Sequence, residues 1–302
     1  MSAVLNRYLT AITILASIAL GFLFPDIGNN WKPYVAYLLM LLMFSTVLTI
    51  RPKDILESAR NAKALAYTLF MVFVFVPALA LIGKPLFSPI EFAGIMLAFC
   101  APSAIATPFF ASVFKGDTAS GLVISIATNL LAILTIPLTM LLAVGATISL
   151  NLNQMILNLT EVILVPIVLA LFVQKVFHTG ISRLPRYTSK TNLMLLLFII
   201  WGSISPGITY AAGNPTQFLW LNLFILPSLI ISFIVAYAVG SRDGRKRAIT
   251  AGIAASVKNA ALPLVIATTL FSARAEMLPP LVANLIAQSL ILVALGTFLK
   301  EK

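Results

Sequence analysis

The sequence contains little charge for its length. Asp, Glu, Lys and Arg make up 10% of the 302 residues, whereas 60% are hydrophobic and the mean hydropathy is +1.04. A soluble domain is about 25% charged because its surface must face water. Since so few charges cannot cover a globule of this size, the composition indicates a protein that is solvated mainly by a lipid bilayer.

Several kinds of chemistry are also missing. The single cysteine, Cys100, excludes an internal disulfide. The sequence has no GxxxxGK[ST] loop, no His/Asp pair and no cluster of metal ligands, so neither an enzyme nor a bound metal is expected. The net charge of +11 would favour nucleic acid in a soluble protein. Here the basic residues lie in short loops between apolar runs, and we expect no nucleic-acid partner.

Apolar runs that could cross a bilayer occupy most of the chain. A membrane helix needs roughly 20 such residues. Ten runs can be counted, at 5–24, 33–50, 63–83, 89–114, 118–146, 154–177, 190–211, 216–240, 247–272 and 277–299. The sequence therefore predicts an all-α polytopic membrane protein with ten transmembrane helices, in a single domain over 1–302.

The basic residues are distributed unevenly between the two sides of these runs. If the N-terminus is cytoplasmic, sixteen of the twenty Lys and Arg residues lie on the cytoplasmic side and three lie outside, namely Lys32, Lys84 and Arg274. An excess of positive charge marks cytoplasmic loops. We therefore expect a multi-pass protein of the cell inner or plasma membrane with both termini in the cytoplasm.

Ten runs divide into two halves of five, 1–147 and 153–300, with opposite orientations. Secondary transporters are often built from such inverted repeats. Pro77 in the third run corresponds to Pro227 in the eighth. The fourth and ninth runs also correspond, because each contains polar residues and a proline near its middle.

These two interruptions predict a transport site. Proline opens a helix, and in lipid the freed backbone groups must find partners or line a cavity. Ordinary proline kinks are the alternative. The N-termini of two half-helices would attract an anion, so Ser103 and Thr107 in the fourth run are candidate substrate contacts.

Lys258 is the most informative residue. It follows Arg247 by eleven residues, which is about 16 Å of helix and places it near the bilayer centre. A charge at this depth is costly and indicates a functional site, although a structural pair or a side chain that reaches back to the interface is the alternative. Lys258 could hold the anion as a fixed charge or carry a proton.

Other polar residues also lie within apolar runs. Glu161 is either a partner for Lys258 or a residue near the outer interface. Asn129 and Asn284 lie in the fifth and tenth runs, where an amide bonds either a neighbouring helix or a substrate.

Three stretches resemble the bile acid:sodium symporter family. Residues 43–54 are similar to its MFxxGLxLxxxD motif, residues 100–117 to its CCPGGTASN break and short following turn, and residues 246–259 to its ninth helix. The resemblance implies a panel of helices 1, 2, 6 and 7 and a core of helices 3–5 and 8–10, in which the broken helices 4 and 9 cross. It also implies a substrate cavity beside Asn259 and uptake of organic anions with sodium.

The chain departs from this family where the family holds sodium. The glutamine before Asn259 is Lys258 here. A glutamate on the family's ninth helix corresponds to Ala254 here, and a glutamine on its third helix corresponds to Val72. A Ser-Asn pair on its fourth helix corresponds to Thr107-Pro108, and two hydroxyl residues on its fifth helix correspond to Gly121 and Ser125. Most of the oxygens that a hard cation needs are therefore missing.

We expect a secondary transporter of a small organic anion that works without sodium, with Lys258 in place of the ion. Protons are a candidate coupling partner. The alternatives are an ordinary sodium-coupled organic-anion or bile acid symporter, an exchanger or exporter, and a channel or sensor. The candidate substrate-binding residues are Lys258, Asn259, Ser103, Thr107 and Asn284, and the candidate coupling charges are Lys258 and Glu161.

Overall fold

The computed structural model describes residues 3–48, 62–176 and 185–298, and it is helical over most of these ranges. The helices are α1 (Ala3–Leu23), α2 (Pro25–Trp31), α3 (Val35–Leu48), α4 (Ala62–Phe70), α5 (Val76–Ala80), α6 (Pro89–Phe99), α7 (Thr107–Val113), α8 (Thr118–Val144), α9 (Leu152–Leu159), α10 (Val165–Val176), α11 (Pro185–Gly213), α12 (Pro215–Gly240), α13 (Arg245–Ser256), α14 (Ala261–Leu270) and α15 (Leu278–Phe298). The end of the motif at 43–54 and both chain termini lie outside the described residues.

Six described stretches are long and apolar enough to cross a membrane. They are Pro25–Leu48, Lys63–Gly83, Thr118–Val144, Leu152–Val176, Pro215–Asp243 and Ala275–Gly296. Shorter apolar helices are Pro89–Phe99, Thr191–Ser205 and Ala261–Leu270. The regular structure of the described ranges is thus helical, and the chain is a multi-pass membrane protein, as the composition predicts.

The helices pack in two groups that touch each other. In the first, α11 packs against α1, α2 and α3, and α10 packs against α3. In the second, α12 packs against α13 and α15, and α7 packs against α8 and α13. The two groups meet where α1 and α11 contact α15.

Two helices contain a π-helical turn shortly before a proline. Met71–Phe75 connects α4 to α5, and Thr160–Leu164 connects α9 to α10. In the first turn, Val76 N–H donates to the carbonyl of Met71. The next residue, Pro77, has no N–H to give. The carbonyl of Val72 therefore receives a hydrogen bond neither from Val76, whose N–H is used by Met71, nor from Pro77. The π-turn therefore leaves an acceptor for a group outside the helix.

The turn between α7 and α8 is docked on α13. Asp117 N–H donates to Thr250 Oγ1 (2.8 Å) and to the carbonyl of Lys246 (3.1 Å). Arg247 Nε lies 3.5 Å from Asp117 Oδ2. The same carboxylate caps α8 by accepting from the amide (3.1 Å) and hydroxyl (2.8 Å) of Ser120. Asp117 thus joins the start of α8 to the first turn of α13.

Gly94 generates a prediction about stability. A Cβ at this position of α6 would lie 2.5 Å from the carbonyl oxygen of Met277. This distance is shorter than a van der Waals contact, so the backbone of one of the two segments would have to shift. We expect Gly94→Ala to lower the stability by about 1–3 kcal/mol, measured as the melting temperature in detergent. The control is Gly213→Ala, because nothing lies within 4 Å of a Cβ there. Equal melting temperatures for the two variants would contradict the packing at Gly94.

Asp117 generates a prediction about pH. Burial opposes its ionisation, but the amide and hydroxyl of Ser120 and the charge of Arg247 outweigh burial and lower its pKa. A carboxylate with a lowered folded-state pKa stabilises the protein above its unfolded pKa of about 3.9, and this contribution is lost as the pH falls through the folded pKa.

We therefore expect Asp117→Asn, which retains a capping side chain, to cost less than about 1 kcal/mol at neutral pH and to weaken the acid-induced loss of stability. Asp117→Ala also removes the cap and should cost about 1 kcal/mol more. Melting temperatures measured from about pH 3 to 7 check both expectations. An unchanged pH profile in Asp117→Asn would refute them.

Candidate functional site

The chain leaves the helical conformation at two interior points. It is not helical over 100–106, between α6 and α7, or over 257–260, between α13 and α14. Pro102 lies within the first interruption, where it cannot donate a helical hydrogen bond. Pro108 and Pro263 lie in the first turns of α7 and α14, where a missing N–H leaves no bond unmade.

The two unwound segments pair with each other. Ser103 and Lys258 form an antiparallel bridge. Ala104 N–H donates to the carbonyl of Val257 (2.9 Å), and Asn259 N–H donates to the carbonyl of Pro102 (2.8 Å). Backbone groups that would otherwise be unsatisfied inside a membrane thus satisfy one another.

The side chain of Asn129 on α8 forms hydrogen bonds with both unwound segments. Its Nδ2 donates to the carbonyls of Ser103 (3.1 Å) and Ser125 (2.8 Å). Its Oδ1 accepts from Nδ2 of Asn259 (2.9 Å). Both donors and the carbonyl oxygen are therefore engaged, so of the two alternatives for Asn129 the structure favours a bond between helices.

Lys258 lies inside the protein at this pairing. Its side chain is 1% exposed, so it does not reach back to the interface. Nζ donates to the carbonyl of Val72 (3.0 Å), the acceptor that the π-turn before Pro77 leaves open. Within the described ranges, no carboxylate forms an ion pair with Lys258. An ammonium has three donors, so donors remain for a further acceptor.

Other predicted substrate contacts lie beside Lys258. Ser103 Oγ and Thr107 Oγ1 are 2.7 Å apart, and both residues are buried. Asn259 is also buried, and its Oδ1 accepts from Leu262 N–H (3.3 Å) at the start of α14. The structure thus brings Ser103, Thr107, Lys258 and Asn259 together on the two unwound segments and the half-helices that follow them.

The remaining predicted site residues lie elsewhere. Asn284 is buried on α15, and its Oδ1 has no hydrogen-bond partner in the described part of the chain. Glu161 lies in the second π-turn with an exposed side chain. Because Lys258 is buried, the two charges do not form the ion pair that was one alternative for Glu161, and its role in coupling stays a prediction.

The positions that the resemblance assigns to sodium ligands offer little to a cation. Val72 and Ala254 have no side-chain oxygen. A Cβ on Gly121 would lie 3.2 Å from Cα of Pro108, so the backbone at Pro108 occupies the space where a side chain at position 121 would lie. Ser125 Oγ donates to the carbonyl of Ala104 (3.2 Å). A hard cation needs several oxygens, and these residues do not fit one.

Reasoning from the sequence missed the carbonyl of Val72. The signal was present in Pro77, five residues later, since a proline always removes the N–H that some preceding carbonyl would use. Which carbonyl is left open depends on the π-turn, and nothing in the local sequence specifies that turn.

Comparisons with known proteins identify the family of this chain. The chain matches the SBF-like CPA transporter family over residues 9–300. It is similar to the uncharacterized sodium-dependent transporter YocS of Bacillus subtilis (strain 168), with 22% identity over 76% of this chain and 70% of that protein. It is also similar to the uncharacterized protein YbaS of the same organism, with 20% identity over 94% of both chains.

A plant protein is similar over a smaller share of its length. The probable sodium/metabolite cotransporter BASS4, chloroplastic, of Oryza sativa subsp. indica is 27% identical over 64% of this chain and 48% of its own. The resemblance to the bile acid:sodium symporter family is thereby confirmed, and the chain is a transporter rather than an enzyme. The chain therefore belongs to the SBF-like CPA transporter family.

Proposed function

We propose that this chain is a secondary transporter of a small organic anion that works without sodium, and that the ammonium of Lys258 takes the place of the ion. The observation that carries the proposal is the buried bond from Lys258 Nζ to the carbonyl of Val72 (3.0 Å). The resemblance assigns both positions to glutamines that serve sodium in the family. Here one hydrogen bond joins them directly.

The electrostatics of the interruptions support a fixed cation at this point. The C-terminal ends of α6 and α13 lead into the two unwound segments, and helix C-termini carry a partial negative charge. Lys258 is two residues beyond the last residue of α13. Its positive charge therefore lies where the helix ends favour a cation.

The same region can also hold an anion. The N-termini of α7 and α14 follow the interruptions, and helix N-termini attract negative charge. The hydroxyls of Ser103 and Thr107 and the remaining donors of Lys258 add further hydrogen bonds. A carboxylate is the group that fits this set of donors.

The packing supports an alternating-access architecture within this proposal. We assign ten membrane helices to two inverted repeats, 1–147 and 153–300, in the cell inner or plasma membrane with both termini in the cytoplasm. The group around α11 (α1–α3 and α9–α11) would form the panel, and the remaining described helices would form the core. Movement of the core against the panel would expose the crossing to each side in turn.

Transport without sodium needs another source of energy. Moving one negative charge inward against about −100 mV costs about 2.3 kcal/mol. Protons carried by Lys258, with Glu161 as a second coupling charge, would supply this energy on uptake. Exchange for another anion, or export, are the other modes open to such a carrier.

A sodium-coupled symporter is the second candidate. It is favoured by the names of relatives, since one is called a sodium-dependent transporter and another a probable sodium/metabolite cotransporter. Under this reading, oxygens other than those at the replaced positions would have to hold the ion.

The two candidates differ in their response to sodium. We expect uptake of organic anions by proteoliposomes to be unchanged when choline replaces sodium, and sodium not to raise the melting temperature. A protein that binds sodium at 100 times its Kd would gain about 2.7 kcal/mol, which a thermal shift detects. A rise in the melting temperature with sodium but not with choline would decide for the sodium-coupled symporter.

Substitution of Lys258 tests the ammonium itself. We expect Lys258→Gln and Lys258→Ala each to reduce the initial rate of anion uptake at least tenfold and to abolish its response to a proton gradient. The reason is that loss of one partner from a buried charged contact costs about 2–5 kcal/mol, and about 1.4 kcal/mol is already tenfold.

Lys84→Gln is the matched control. Lys84 Nζ also donates to a backbone carbonyl, that of Ala143 (3.4 Å), but from an exposed position. This variant should transport as the unaltered protein does. If both Lys258 variants retained transport and its response to protons, Lys258 would have no place in the mechanism.

A further inference from the structure

A cleft opens between α4, α8 and α13, away from the crossing. Its walls include Leu65 and Tyr67 of α4, Val123 and Ile124 of α8, and Arg247 of α13. These three helices pack against one another, and the cleft is a space that their packing leaves open. Its empty volume is about 340 Å³. Since one water takes about 30 Å³, a group of about ten heavy atoms fits there.

The cleft lies at the level where the hydrocarbon layer meets the lipid headgroups. Three apolar stretches start or end beside it, namely Lys63–Gly83, Thr118–Val144 and Pro215–Asp243. Leu65 is two residues into the first stretch, Val123 is five residues into the second, and Arg247 follows the end of the third by four residues. At about 1.5 Å per residue, these positions lie within about 8 Å of the ends of the stretches. The headgroups of the surrounding lipid are therefore within reach of the cleft.

The surface around this cleft is strongly basic. The described residues there include six basic side chains, those of Lys63, Lys115, Arg242, Arg245, Lys246 and Arg247, and two acidic ones, those of Asp117 and Asp243. Arg247 is partly exposed, and the other basic residues are exposed. Basic pockets between membrane helices bind anionic lipid headgroups. The excess of positive charge thus favours an anion at the mouth of the cleft.

Arg247 is placed to hold such an anion. Its Nε lies 3.5 Å from Asp117 Oδ2, but a guanidinium has five N–H donors, and one carboxylate cannot use all of them. The apolar walls favour an anion that carries a hydrocarbon chain. A hydrated inorganic anion would leave the side chains of Val123 and Ile124 uncovered, whereas an acyl chain would cover them.

We propose that the cleft binds an anionic phospholipid from the surrounding leaflet. Its phosphate would contact Arg247, with Arg245 and Lys246 at the mouth, and the upper part of one acyl chain would lie on the apolar walls. The bound lipid would touch α4, α8 and α13 together and stabilise their packing. This inference does not rest on the proposed function, because the cleft lies at the start of α13 and Lys258 lies beyond its end.

Titration of the delipidated protein with two lipids tests this assignment. Phosphatidylglycerol and phosphatidylcholine with identical acyl chains would be added in detergent, and the melting temperature would be recorded at each concentration. We expect phosphatidylglycerol to raise the melting temperature and to bind about tenfold or more tightly than phosphatidylcholine. High salt should reduce this difference, because salt screens the charges.

Lys63 and Lys84 form a matched pair for the same titration. Both are exposed, and they flank one apolar stretch at its opposite ends. Lys63→Gln should weaken binding of phosphatidylglycerol about fivefold, because one basic residue near an anionic surface contributes about 1 kcal/mol. Lys84→Gln should leave binding unchanged. The double variant Arg245→Gln/Lys246→Gln removes two exposed charges and should weaken binding about 25-fold.

Ala64→Leu tests the cleft itself. Ala64 lines the cleft, and a leucine there would fill part of the space without changing any charge. We expect this variant to lose most of the rise in melting temperature that phosphatidylglycerol causes, and to melt close to the unaltered protein when no lipid is added.

Equal rises with the two lipids, or equal weakening by Lys63→Gln and Lys84→Gln, would overturn the proposal. An unchanged titration in Ala64→Leu would do the same, since the lipid would then be held by surface charge alone. If inorganic phosphate raised the melting temperature as phosphatidylglycerol does, the site would take a free anion and the assignment to a lipid would be wrong. None of these outcomes depends on transport, so the proposed function is tested separately.

Discussion

A backbone that leaves the helical conformation inside a membrane must find hydrogen-bond partners, and the candidate site of this protein depends on how that requirement is met. The two unwound segments satisfy each other through the bonds of Ala104 with Val257 and of Asn259 with Pro102. The amide of Asn129 ties the pairing to α8. Each interruption therefore supplies an acceptor for an N–H group of the other.

Lys258 likewise supplies a hydrogen bond to a backbone group that a third helix leaves without a partner. The π-turn and Pro77 leave the carbonyl of Val72 without a helical donor, and the buried ammonium fills that vacancy from the unwound segment. One bond therefore joins the helix that contains Pro77 to the crossing. In the proposed mechanism this bond replaces a bound ion. Because the nitrogen is covalently attached, a proton would be taken up and released there in place of a metal ion, and the protonated form would attract a negatively charged substrate.

Prolines and residue counts predict part of this arrangement, and the rest depends on which way each helix faces. The prolines at 102, 108 and 263 indicated the interruptions, and counting from Arg247 placed Lys258 at depth. The environments of Asn129 and Asn284 could not be predicted, although both are amides within apolar runs. One is fully bonded and the other has an unpartnered atom. A helix that is apolar all round gives no signal about its rotation. For the same reason the sequence left open whether Glu161 meets Lys258.

Asn259 links the start of α14 to the proposed anion site. Its side-chain oxygen already occupies the N–H of Leu262 at the start of α14, which is one of the groups that an incoming carboxylate would seek. The neutral oxygen of Asn259 thus lies where the proposed mechanism would place a charged oxygen of the substrate. In the proposed mechanism an anion at that N–H would displace the oxygen, while the bond from Nδ2 of Asn259 to Asn129 would hold the other end of the amide. Occupancy of the site and the orientation of this side chain would then depend on each other.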